Sequence, residues 1–132
     1  HGLATAIDFV NGNFDGDVVY REIYARFRRT RGVAQIPTAI VCANDRMAVA
    51  AIEALQDLDL RIPEDVAVFG FDGGDVFHLY SPAISYVKQP VEEMGRKAVT
   101  ILIDQLESDE PQEIKRYELK PELVITESSL KK

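Results

Sequence analysis

Arg61–Pro90 reads RIPEDVAVFG FDGGDVFHLY SPAISYVKQP. Between Ile62-Pro63 and a glycine cluster lies the apolar run Val66–Phe69. A β-branched, aromatic run bounded by Pro and Gly predicts a buried strand. It ends in Gly70-Phe71-Asp72-Gly73-Gly74, so the strand delivers one carboxylate, Asp72, to a loop at its carboxyl end. In open α/β sheets that edge is where ligands bind. A second strand is predicted at Ile84–Val87. It runs through Lys88-Gln89-Pro90 into a helix, Val91–Glu107, whose apolar face is Met94, Ala98, Ile101, Leu102 and Leu106.

Upstream, Ala4–Val10 predicts a strand, punctuated by Asn11-Gly12-Asn13. Phe14-Asp15-Gly16-Asp17 opens a helix, with Asp15 or Asp17 able to cap its free N–H groups. Val19, Ile23 and Phe27 recur at helical spacing, with Tyr20 and Tyr24 on a flanking stripe. Gly32 is a suitable stop. After Ile36-Pro37 a strand is predicted at Ala39–Ala43. Asn44-Asp45 then starts a helix with Met47, Ala51, Ala54, Leu55 and Leu58 on its apolar face. Downstream of Val91–Glu107, Ser108–Pro111 is a polar turn. Ile114–Leu119 alternates like a strand, and Leu123–Ile125 makes a final short one. Strands alternating with helices up to Pro90 predict an α/β fold, a parallel sheet flanked by helices.

The 132 residues are enough for one domain with a core, and 46% hydrophobic with 28% charged content is ordinary for a globular chain. No run approaches the roughly 20 apolar residues of a membrane span. His1–Asp8 has no basic segment followed by an apolar stretch, so no secretory signal is read there. The net charge of −7 argues against this segment gripping a phosphate backbone. The one basic cluster, Arg26, Arg28, Arg29 and Arg31, falls near a helix end, where the dipole favours cations. A single cysteine, Cys42, excludes an internal disulfide, and its apolar setting predicts a buried inert thiol.

Phe14, Asn44 and Asp72 each fall just past a predicted strand, and such ends converge on one sheet edge. A carboxylate accepts from hydroxyls, an amide donates and accepts, and a ring stacks on an apolar face, which suits a small polyhydroxylated ligand. Each has a plainer alternative. Asn44 caps a helix whether or not it also meets a ligand. Asp72 could close its own turn, although a carboxylate is not what a glycine-rich turn requires. Phe14 could staple the helix start. Asp75 reads as a surface or cap residue, and His78 as a packed surface residue. An enzyme is not expected. Cys42 has no evident base, His1 and His78 make no metal spacing, Ser81 lacks a nucleophile elbow, and Gly70–Gly74 lacks a P-loop lysine. No cofactor is called for.

Three stretches in order, PTAIVCANDRMAVAAIEAL from Pro37, IPEDVAVFGFDG from Ile62 and SPAISYVKQPVEEMGRKAV from Ser81, resemble the effector-binding core of the LacI/GalR family of bacterial transcription regulators. The resemblance runs from about Asn11 to Ser129. It departs at Asp59, where the family usually has glycine, and at Gly73, where a second Asp often follows the first.

The resemblance implies a partial lobe of the periplasmic-binding-protein-like type I fold. Residues 1–89 and 120–132 would form the C-terminal lobe. Residues 90–119 would be a helix and strand that usually pack with an N-terminal lobe, and the DNA-binding headpiece would be absent from this chain. It places the positions of Phe14, Asn44 and Asp72 along the effector cleft and those of Val49 and Tyr80 in a homodimer interface. The implied partners are a sugar or related metabolite, a second copy, and operator DNA through the missing headpiece, in the bacterial cytoplasm with no membrane. The alternative is a periplasmic-type sugar-binding protein for transport or chemotaxis.

Overall fold

The computed structural model describes residues 7–30, 37–108 and 114–130. Helix α1 is Gly16–Thr30, strand β1 is Ala39–Val41 and helix α2 is Asp45–Asp57. Strands β2, Ala67–Phe71, and β3, Ser85–Lys88, precede helix α3, Val91–Glu107, and strand β4, Glu122–Val124. Two 3-10 turns, Asp75–Leu79 and Glu127–Ser129, complete the order. The sheet runs β1-β2-β3-β4. β1/β2 and β2/β3 are parallel, with Ile40 opposite Val68 and Gly70 opposite Tyr86. β4 is antiparallel to β3, with Leu123 opposite Val87.

The core lies between this sheet and the α1/α2 pair. Val19, Ile23 and Phe27, spaced one helical turn apart, are buried along α1. They meet Ala48, Ala51, Ile52 and Leu55 of α2 in one cluster with Val66, Val68, Ile84 and Tyr86 from the sheet. Alanines on α2 let the helix lie close to its neighbours, as the apolar face expected from sequence requires. Asp15 caps α1, accepting from the Asp17 N–H at 2.9 Å. Past α2, Asp59 adopts φ 54°, a left-handed conformation that accounts for the glycine usual at this position.

The sheet departs from expectation at two places. Residues 7–10 of the expected Ala4–Val10 strand carry no strand, and residues 4–6 lie outside the described residues. Residues 114–119 are likewise irregular. Alternation marks a strand only where a neighbour completes the ladder, because unpaired backbone groups gain nothing from extension. β1 pairs with β2 alone and β4 with β3 alone, and among the described residues no strand completes a ladder on the outer edge of either. The stop expected at Gly32 and most of the turn Ser108–Pro111 also lie outside the described residues.

Helix α3 forms where its periodicity places it, yet none of its residues is buried. Met94, Leu102 and Leu106 of the expected apolar face are exposed. No helix among the described residues is long and apolar enough to cross a membrane.

Candidate functional site

The carboxyl ends of the three parallel strands lie within a few residues of one another, β1 stopping two residues short of β2. Val41 is opposite Phe69, and the Cys42 N–H still donates to the Phe69 carbonyl at 2.8 Å. Asn44 therefore stands two residues past the β1 ladder, and Asp72 directly follows β2. The Asp72 N–H donates to the Val87 carbonyl at 2.9 Å, which extends the β2/β3 ladder by one bond.

Asn44 is the N-cap of α2. Its backbone is extended (φ −156°), and its Oδ1 accepts from the Met47 N–H at 2.8 Å. Capping satisfies one of the free donors of the first turn and uses the oxygen. The amide nitrogen is what remains for a ligand.

Asp72 is exposed and left-handed, with φ 60°. Among the described residues its carboxylate makes no hydrogen bond to its own turn, so the turn-closing role finds no geometry here. Next to it, Gly73 has a packing reason. A Cβ there would overlap the Phe77 ring and lie 2.7 Å from Tyr86 Cδ2.

Phe14 is left-handed as well (φ 55°) and is 72% exposed, too open for a hydrophobic staple. Its loop abuts the first turn of α2. A Cβ at Gly12 would overlap the Met47 and Val19 side chains, and the Gly12 carbonyl accepts from the Asp15 N–H at 2.8 Å. The Phe14 loop thus lies against the start of α2, the helix that Asn44 caps.

A cleft of about 380 Å³ opens elsewhere. Phe71, Gln89, Met94, Ile101 and Tyr117 wall it, and Lys97 Nζ sits 4.2 Å over the Tyr117 ring. Phe14, Asn44 and Asp72 do not line it. Its walls come from the end of β2, the Gln89-Pro90 turn, one face of α3 and the segment 117–121.

Other residues fall out as follows. Val49 and Tyr80 are half-buried. Tyr80 packs against the core cluster, and burial together with Glu53 raises its phenol above the ordinary range. Glu53 lies one helical turn after Val49, so Val49, Glu53 and Tyr80 share an outer face. The same stripe continues to Asp57, which accepts from Tyr20 Oη at 2.6 Å and is the main reason that phenol is pushed up to about 12. Tyr20, Glu53 and Asp57 were not legible as a group, because the contact joins residues 37 apart. Cys42 is buried, and desolvation pushes its thiol up to about 12, which fits an inert side chain. His78 is exposed, its ring edge-on to Tyr86. Asp75 opens the Asp75–Leu79 turn and is exposed. No group of three His, Cys, Asp or Glu among the described residues could hold a metal.

Residues 1–129 match the model of the periplasmic binding protein-like domain. The chain is 31% identical over 134 residues to the HTH-type transcriptional repressor PurR of Aliivibrio salmonicida, covering 97% of this chain and 40% of that protein. Among solved structures it resembles the transcriptional regulator CelR in its cellobiose complex: TM-score 0.76, 28% identity, 96% of this chain and 39% of that one. It also resembles the lac repressor dimer bound to operator and an anti-inducer: TM-score 0.67, 25% identity, 86% of this chain and 37% of that one. The chain thus spans about 40% of the length of the curated relative.

Proposed function

The chain belongs to the periplasmic binding protein-like family, as an effector-binding region of the LacI/GalR regulator type, and on that premise we propose that it binds a small effector at the carboxyl ends of β1 and β2. The observation that supports this is that Asn44 and Asp72 each follow the carboxyl end of one of two adjacent parallel strands. Asp72 accepts from ligand hydroxyl or N–H groups, the Asn44 amide nitrogen donates, and Phe14 stacks on an apolar ligand face. A sugar or a related metabolite fits these groups. CelR, a regulator of this kind, is known in complex with cellobiose.

The whole protein would be a transcription regulator. Its operator contacts would lie in a headpiece outside this chain, a reading with which the net charge of −7 agrees. Val49 and Tyr80 would meet a second copy, as expected for a family whose lac repressor is seen as an operator-bound dimer. Residues 1–89 and 120–132 would form one lobe, and 90–119 would pack on another. The uncovered face of α3 supports that division. Effector binding changes operator affinity only if the two operator-binding states bind effector differently, and such couplings are typically about 1–3 kcal/mol. The site would act in the cytoplasm and without covalent chemistry. Relatives that are transcriptional repressors favour this reading over a transport protein.

The test is a thermal-shift screen of the full-length protein against sugars, sugar phosphates and nucleobases, with Asp72→Ala beside it. A ligand at about 100 times its Kd adds about 2.7 kcal/mol of stability by mass action. A shift in the parent that Asp72→Ala abolishes supports the site. A shift that survives in Asp72→Ala places the ligand elsewhere.

A further inference from the structure

Behind the Asp72 loop one side chain fills the space. Phe77 is fully buried and packs edge-on to Tyr86, with ring centroids 5.4 Å apart at 71°. It presses on the two glycines that bracket Phe71-Asp72. A Cβ at Gly70 would lie 2.6 Å from Phe77 Cζ, and one at Gly73 would overlap the ring. The ring has little room to retreat. The Phe77 N–H donates to the Gly74 carbonyl at 3.1 Å, and its carbonyl accepts from the Ile84 N–H at 3.1 Å. Between the two glycines Asp72 holds φ 60°, a conformation an L-residue adopts at a cost. Its backbone N–H donates to the Val87 carbonyl at 2.9 Å.

We propose that Phe77 is a positioning residue for the Asp72 carboxylate. Its ring fixes how closely the loop lies on the sheet, forbids any side chain at position 73, and so holds Asp72 in its left-handed turn at the strand end. This rests on the reading of Asp72 as a ligand contact, but its test does not need the ligand. Phe77 acts on the site through the backbone of residues 70–74 and never reaches the ligand itself.

The experiment is hydrogen exchange on the full-length protein, comparing peptides from residues 70–76 with sheet peptides from residues 39–42. Local and global opening are separable in this way. In Phe77→Leu, exchange over 70–76 rises by about tenfold or more relative to 39–42. Phe77→Met is the fallback should the leucine variant fail to fold. Gly73→Ala lowers the thermal midpoint, and adding Phe77→Leu recovers part of that loss, because the clashing ring is gone. Equal acceleration at both peptides, or strictly additive losses in the double variant, would overturn the proposal by making Phe77 an ordinary core residue. An effector shift that survives Asp72→Ala sinks the ligand reading instead, and leaves the exchange result standing.

Discussion

Ser85 and Ser128, 43 residues apart and both fully buried, share one hydroxyl: Ser128 Oγ accepts from the Ser85 N–H at 2.8 Å. The same hydroxyl donates to the Val68 carbonyl at 2.7 Å. Ser85 Oγ in turn accepts from the Thr126 N–H at 2.8 Å. The tail after β4 is therefore held to β2 and β3 by side chains at a level just beyond the end of β4. Ser128→Ala orphans two buried backbone groups, each worth about 1–3 kcal/mol. Its expected cost is about 2–4 kcal/mol, read from urea midpoints. Ser129→Ala removes only a hydroxyl contact to Ser85 Oγ, which keeps its bonds to Thr126, and should cost well under half as much.

At Asn44 capping and ligand contact can be separated by choice of substitution. Asn44→Ala loses the bond to the Met47 N–H and should cost about 1 kcal/mol of stability. Asn44→Asp keeps an accepting oxygen and a good cap, so unliganded stability should stay within a few tenths of a kcal/mol. It removes the amide donor, so the effector-induced thermal shift should fall. An undiminished shift in Asn44→Asp would reduce Asn44 to a cap.

Asp59 gives a prediction of the opposite sign. The left-handed conformation costs an ordinary L-residue about 1–2 kcal/mol, and a glycine loses about 0.5–1 kcal/mol of chain entropy on folding. Asp59 is exposed, with φ 54°, and its N–H bond to the Gln56 carbonyl at 2.9 Å does not depend on the side chain. Asp59→Gly should stabilise the chain by about 0.5 kcal/mol, measured as a higher thermal midpoint.

Cys42 makes the fold sensitive to alkali. Its thiol titrates near 8.5 in an unfolded chain and is pushed up to about 12 here by burial. The protonated form is favoured in the fold, so its stabilisation is complete below about pH 8.5 and is lost as pH rises toward 12, at about 1.4 kcal/mol per unit. Denaturation curves of Cys42→Ala should show a shallower alkaline slope, most clearly between about pH 8.5 and 10, below the ordinary range of the tyrosines. Iodoacetamide at pH 8 should leave the native thiol unmodified and label it in urea.

Helix α3 carries its apolar face into solvent, with Leu102 56% and Leu106 77% exposed. Patches of this kind drive association. In the 132-residue chain, Leu102→Glu with Leu106→Glu should leave the thermal midpoint nearly unchanged and shift sedimentation toward monomer. A parent chain that sediments as a monomer at all concentrations would remove the ground for this prediction.

Much of the fold could be read in advance because its signals are local. Pro and Gly bracket β2, Asn44 and Asp15 cap helices, and the Val19, Ile23, Phe27 spacing fixes the buried face of α1. Residues 7–10 and 114–119, expected as strand, carry none. Alternation is local, but a ladder requires a neighbour that no local pattern supplies. Gly73 shows the same limit within the site. Its sequence suggested a missing acceptor, whereas its structural reason is a ring that arrives from Phe77 through a separate turn. Asp72 and Asn44 were legible because strand ends and residue types sufficed to place them.

β3 and β4 lie side by side, with Lys88 opposite Glu122 at the point where the chain departs toward α3 and comes back. Everything between them hangs from a two-strand stem with its feet pinned together. Such a stem behaves like a door hinge, which swings about one axis and resists torsion. A pull on residues 90–119 would load the β3/β4 pair first. Through Ser85 and Ser128 it would reach the Val68 carbonyl in β2, the strand that ends in Asp72.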